Sequence, residues 1–135
     1  MIDALRGLAT ALAAEHTAVY AYGVVGGRTR GRERDAAREA FDAHRARRDR
    51  LRGLIIARGG TPPEAAAAYE PPFPVAGETD AVRLAALVEQ RVTAAYLELA
   101  AVPDAALRRL AALAMQESTV RSLTWQAPIN ALPGF

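Results

Sequence analysis

The chain has 135 residues, about half of them apolar, and a formal net charge of +2. That composition suits one hydrophobic core in a single domain over 1–135; it excludes disorder, and no apolar run approaches the ~18 to 20 residues of a membrane span. The lack of cysteine excludes disulfides, thiolate metal sites and a cysteine nucleophile.

Four segments carry helical periodicity and none alternates as a strand does, so the expected class is all-α. Alanine, the strongest helix former, supplies 32 residues. The opening Met1-Ile2-Asp3-Ala4-Leu5-Arg6 has no basic stretch leading into an apolar one, so no signal peptide is expected and the location read from it is cytoplasmic. Helix one starts near Asp3, an N-cap residue type, and runs to about Val25, where Gly26-Gly27 predicts its end. Helix two spans about 31–58 and stops at Gly59-Gly60, with Pro62-Pro63 beyond. Helix three spans about 80–101 with Thr79 or Asp80 as its cap, and helix four spans about 104–126 after the Pro103-Asp104 turn. Residues 28–58 carry eleven Arg against five acids, a local charge of +6. Acids interleave with these Arg and no aromatics do, which predicts a solvated helix face; nucleic acid is not an expected partner.

The connections fix a topology. Helices one and two, and helices three and four, are joined by short turns and should be antiparallel neighbours. The segment 60–78 is longer and holds five Pro. A helix of ~23 residues is ~35 Å long, and ~11 extended residues retrace it. The linker can therefore cross the bundle end to end and set helix three parallel to helix two.

Ionisable residues interrupt each apolar stripe. Helix one reads Leu5, Leu8, Leu12, Glu15, Val19, Tyr22, and helix two reads Ala37, Phe41, His44, Arg48, Leu51, Ile55. Helix three reads Val82, Ala85, Glu89, Val92, Tyr96, Leu99, and helix four reads Leu107, Leu110, Ala114, Glu117, Arg121. Each of Glu15, His44, Glu89 and Glu117 lies ~21 Å from its own bend, so all four should converge at mid-bundle. A buried carboxylate costs several kcal/mol unless it is paired, hydrogen-bonded or on a metal. Arg48 or Arg121, one turn from His44 and Glu117 respectively, is expected to contact at least one of the three Glu. Tyr22 and Tyr96 read as core tyrosines with a buried hydroxyl partner. His16, ~100° around the helix from Glu15, reads as an edge or interface residue. Trp125, Phe73 and Phe135 read as core or tail-packing residues. Ser118, Thr124 and His44 form no nucleophilic arrangement.

The Glu-x6-Tyr of helix one (Glu15, Tyr22) recurs in helix three (Glu89, Tyr96) as a weak internal repeat. With the short-long-short connections and the central carboxylates, it resembles the ferritin-like superfamily, including bacterioferritin and rubrerythrin. Several features are similar to a bacterial ferritin-like family of unassigned function: Glu15-His16, the run His44-Arg45-Ala46-Arg47-Arg48, Tyr69 before a Pro-rich stretch, Trp125 and the Pro133-Gly134 ending. The resemblance implies a four-helix bundle of two antiparallel hairpins joined by the long crossover. It also implies a di-metal centre built from a Glu on each of helices one and three and Glu-x-x-His on each of helices two and four.

Here the chain departs from that pattern. Phe41 stands where the helix-two Glu belongs, and Val120 where the helix-four His belongs. Glu15, His44, Glu89 and Glu117 remain as the implied core or metal site, with Arg48, Arg121, Tyr22 and Tyr96 around them. This is a degenerate centre, expected to hold no cofactor and not to act as a ferroxidase. A single Fe, Mn or Zn ion on one nitrogen and three oxygens is the alternative, chemically open because imidazole with carboxylates suits those metals. The expected role is binding or structural, as a homodimer through helix faces; the alternative is a mononuclear metal-dependent oxidase or oxygen-reactive protein. Iron storage or DNA protection is disfavoured by the missing ligands and by the lack of an aromatic-basic face.

Overall fold

The computed structural model describes residues 3–126. Among them are four α-helices, α1 (Ala4–Arg28), α2 (Gly31–Ala57), α3 (Glu78–Ala95) and α4 (Ala105–Gln126), with a 3₁₀ turn at Leu99–Ala101 and no strand. No described helix is long and apolar enough to cross a membrane. Phe135 and the Pro133-Gly134 ending lie outside the described residues.

Local chemistry sets the helix ends. The Asp3 carboxylate caps α1 by accepting from the Leu5 N–H at 3.0 Å. Helix α1 continues through Gly26-Gly27 to Arg28, so these glycines do not end it; no residue there needs a left-handed backbone. Helix α2 ends as its glycines predict. Gly59 has φ +78°, the Gly59 N–H donates to Ile56 O and the Gly60 N–H donates to Ile55 O, each at 3.0 Å. This is a Schellman motif, which satisfies carbonyls that the helix end leaves free. The cap of α3 is Gly77 rather than Thr79 or Asp80. Asp80 sits inside the first turn and accepts from the Ala76 N–H at 3.1 Å. Helix α3 also stops six residues short of the expected end, at Ala95 instead of 101. The following turn buries Tyr96, Leu99 and Val102 without a Gly or Pro to signal it.

Side-chain contacts give the direction of each helix. Tyr22 meets Glu89 and Tyr96 meets Glu15, while Arg6 and Thr10 reach Glu98, so α1 and α3 are antiparallel. Arg47 meets Glu117 and Arg58 meets Asp104, so α2 and α4 are antiparallel. Helix α2 returns alongside α1 after a two-residue turn, which makes α2 parallel to α3. The segment between them crosses the bundle along α1. Gly60 packs on Leu5, the Pro63 carbonyl accepts from His16 Nε2 at 3.1 Å, Tyr69 meets Tyr20 edge-on, and the Val75 carbonyl accepts from Arg28. Phe73 lies under the Arg83 guanidinium, 4.0 Å from ring centroid to Cζ. His16 is buried beneath the crossover rather than at an open edge, and its partner is the crossover backbone.

The core is a column of Leu, Val and Ala from all four helices, in which alanines such as Ala11, Ala18, Ala37, Ala40, Ala85 and Ala111 are fully buried. Its buried ionisable residues Glu15, His44 and Glu89 meet at one level, where the functional candidates lie.

Candidate functional site

One ionisable residue from each of α1, α2 and α3 meets the others at mid-bundle. Glu15, His44 and Glu89 are all fully buried. The His44 ring lies between the two carboxylates, its Nδ1 2.5 Å from Glu15 Oε1 and its Nε2 2.9 Å from Glu89 Oε2. Each carboxylate takes a second bond from a tyrosine of the other hairpin. Tyr96 donates to Glu15 Oε2 at 2.6 Å, and Tyr22 donates to Glu89 Oε2. Trp125, in the last turn of α4, donates from Nε1 to the Tyr22 hydroxyl at 2.9 Å. The Tyr22 ring also stacks on the His44 imidazole, with centroids 5.5 Å apart. The Glu-x6-Tyr repeat therefore has a structural meaning: each helix's Glu receives the other's Tyr.

Electrostatics assigns the protons. Burial opposes the charging of His44, but the bonds and charges of Glu15 and Glu89 outweigh it and raise its pKa. Burial also opposes the ionisation of Glu89; the bond and charge of His44, the Tyr22 bond and the Arg121 charge outweigh it and lower its pKa. Burial first, and then the facing carboxylate, pushes both tyrosine hydroxyls up, so they stay protonated donors. An ionised carboxylate can only accept, so the consistent assignment is an imidazolium donating from both ring nitrogens.

Glu117 does not join this cluster. Its side chain is 55% exposed and pairs with Arg47, not with the core. Arg48 also departs from expectation, turning outward onto Asp49 with Nη2 3.0 Å from Oδ1. Arg121 bonds to no Glu; its Nη1 is buried without a partner, and it acts on Glu89 and Tyr22 through charge alone. The cation that reaches the carboxylates is Arg47, which the sequence reading missed. Its Nη1 lies 3.9 Å from Glu15 Oε2 and donates to Ser118 Oγ at 3.4 Å, while Nη2 holds Glu117. Three acids (Glu15, Glu89, Glu117) thus face three cations (His44, Arg47, Arg121).

The misreading of α4 has a physical cause. Its inner face is Leu107, Ala111, Ala114, Ser118, Ser122 and Trp125, whereas Leu113, Val120 and Leu123 are exposed. Apolar character does not mark the buried side of this helix. The internal repeat does. A shift of 74 positions carries Glu15 onto Glu89 and Tyr22 onto Tyr96, and it also carries Arg47 onto Arg121 and His44 onto Ser118. It matches buried Ala37 and Ala40 to buried Ala111 and Ala114, and Leu51 to Trp125. The counterpart of His44 in α4 is therefore Ser118, and Glu117 falls one residue off the inner face. Extending the repeat from α1 and α3 to α2 and α4 would have singled out Arg47.

The donor set does not fit a two-metal centre as it stands. The two carboxylates sit on opposite ring nitrogens of one imidazole, and one ion can use the lone pair of one nitrogen only. The repeat-related positions Phe41 and Met115 carry no carboxylate. Among the described residues, no group of three or more His, Asp or Glu is arranged to hold an ion. What the arrangement can do is hold two negative charges, share protons and fix four helices in one register.

The chain is similar to a conserved hypothetical protein, rv2844, from Mycobacterium tuberculosis, at 34% identity over 90% of this chain and 92% of that one, with a TM-score of 0.87. No curated protein matches it. The family model described as "Domain of unknown function (DUF4439)" matches residues 7–135, and the chain belongs to that family.

Proposed function

We propose that this protein is a ferritin-like bundle in which an internally neutralised hydrogen-bonded core replaces the di-metal carboxylate centre, and that it serves as a binding module rather than an oxidase. The observation that carries this reading is the commitment of both His44 ring nitrogens, one to each buried carboxylate. A ligand nitrogen must be free of its proton to bind a metal. Here the protons are held by the two groups that would otherwise be co-ligands. The second reading, a mononuclear metal-dependent oxidase, draws support from Glu89 Oε1, which is buried without a partner. The exposed stripe of Leu113, Val120 and Leu123 on α4 supports self-association through a helix face.

Aerobic iron(II) oxidation, followed by absorbance, separates the two functions. The binding-module reading expects the wild-type rate to equal the rate without protein and to be unchanged in Glu89→Ala. Rapid turnover that the substitution abolishes would promote the oxidase.

A further inference from the structure

A cavity of about 320 Å³ lies away from the polar core, between α1, α3 and the crossover. Its floor is buried and apolar, formed by Ala21, Leu84, Val88 and Val92. Its roof is the crossover, with Tyr69, Pro71 and Pro72. That roof is held in place on both sides, by His16 on the Pro63 carbonyl and by Arg28 on the Val75 carbonyl. Tyr69 is fixed further, since its hydroxyl accepts from the Ala66 N–H at 3.0 Å and its ring packs edge-on against Tyr20 at 5.7 Å. The space is therefore built by restrained elements and is already shaped before any ligand arrives.

The rim carries charge. Arg91 lies on the α3 face that bears Leu84 and Val88, two turns and one turn along from them respectively, and is exposed at the cavity edge. Among the described residues Arg91 has no ion-pair partner. Glu70, on the crossover, is the other charge at the rim and is also exposed. Arg91 projects from a regular helix beside the floor, so its guanidinium is the better placed to hold a planar anion in two-pronged fashion. The volume equals that of about ten waters at ~30 Å³ each, at the small end of ligand pockets.

We propose that this cavity binds a small amphipathic monocarboxylate, with its apolar body on the floor between α1 and α3 and its carboxylate on Arg91. The site deepens the binding role proposed above by naming its ligand class. The titration that tests it is run without metal. A failed titration therefore leaves the neutralised core standing, and a metal found in the core leaves the cavity standing.

The probe is octanoate, added to the full chain and followed by calorimetry and by methyl NMR. The expected result is saturable one-to-one binding that shifts the methyls of Leu84, Leu87, Val88 and Val92. Arg91→Gln should weaken octanoate at least roughly tenfold, the loss of the charge-assisted guanidinium–carboxylate pair, with circular dichroism matching wild type. Octylammonium, with the same chain and the opposite charge, should bind more weakly than octanoate to a similar degree. Ala14→Phe, placed on the cavity wall, should abolish binding while keeping the helical signal. Octanoate that leaves the floor methyls unmoved, or binding unaffected by Arg91→Gln, would overturn the site. Octylammonium equal to octanoate would reduce the cavity to unselective apolar uptake and would also overturn it. Leucine binding more tightly than octanoate would assign the rim to a zwitterion, with Glu70 engaged, and would overturn the monocarboxylate class.

Discussion

His44 keeps two buried carboxylates in one core by donating a hydrogen bond to each, and its titration should be visible in the stability of the whole chain. Its pKa is raised from the ordinary 6.5, so its contribution is complete below that pH and is lost as pH rises through the folded value. Glu89 is lowered from 4.5, so its contribution is complete above that pH and is lost as pH falls through its folded value. Urea unfolding across pH should therefore show the largest gap between wild type and His44→Gln from about pH 4.5 to 6.5, narrowing on either side. Tyr22 makes two buried bonds, so Tyr22→Phe leaves Glu89 short of a donor and Trp125 short of an acceptor. The expected cost is about 1–3 kcal/mol by chemical denaturation, with a change in the emission of Trp125, the one tryptophan in the chain. The correction to Glu117 has its own test. Glu117→Ala, at an exposed ion pair, should cost under about 1 kcal/mol, whereas Glu89→Ala, which strips a partner from a buried imidazolium, should cost about 3–5 kcal/mol.

Elements with strong local signals were readable from the sequence, and those whose inner face is set by packing were not. The end of α2 is encoded in Gly59-Gly60, and its boundary came out within one residue of expectation. The position of Glu15, His44 and Glu89 followed from their stripes, because α1, α2 and α3 bury Leu, Val or Tyr on the same side. Helix α4 gave no such guide, since it buries Ala and Ser and exposes Leu and Val. The early end of α3 was invisible for a related reason: tertiary burial of Tyr96 and Leu99, not a breaker residue, shapes that turn. At the crossover, Gly60 is required for space. A Cβ there would meet Leu5 Cδ2 at 2.9 Å and Ile55 Cγ2 at 3.0 Å. Gly60→Ala should destabilise by about 1–3 kcal/mol, and amide hydrogen exchange should show the loss of protection concentrated at the α2 end and the start of the crossover.

For the whole molecule, the crossover and the internal repeat make one arrangement. Two hairpins pack so that α1 and α3 exchange their Glu–Tyr bonds, and the repeat breaks where Ser118 stands at the position equivalent to His44. One imidazole therefore serves both carboxylates, while Ser118 takes a bond from Arg47. The Arg-rich α2 fits its expected reading as a solvated face, with Arg45 on Asp42 and Arg48 on Asp49. The self-association proposed for the exposed apolar stripe on α4 has its own test: wild type should sediment as a dimer and Val120→Asp as a monomer in analytical ultracentrifugation, with the helical signal unchanged. The central claim is that His44 is a doubly protonated imidazolium shared by Glu15 and Glu89, and nitrogen-15 NMR of the His44 ring near neutral pH tests it most directly. Protons on both ring nitrogens are expected, with resonances that do not move when zinc(II) is added. A ring nitrogen without a proton, or one that shifts stoichiometrically on zinc addition, would contradict it.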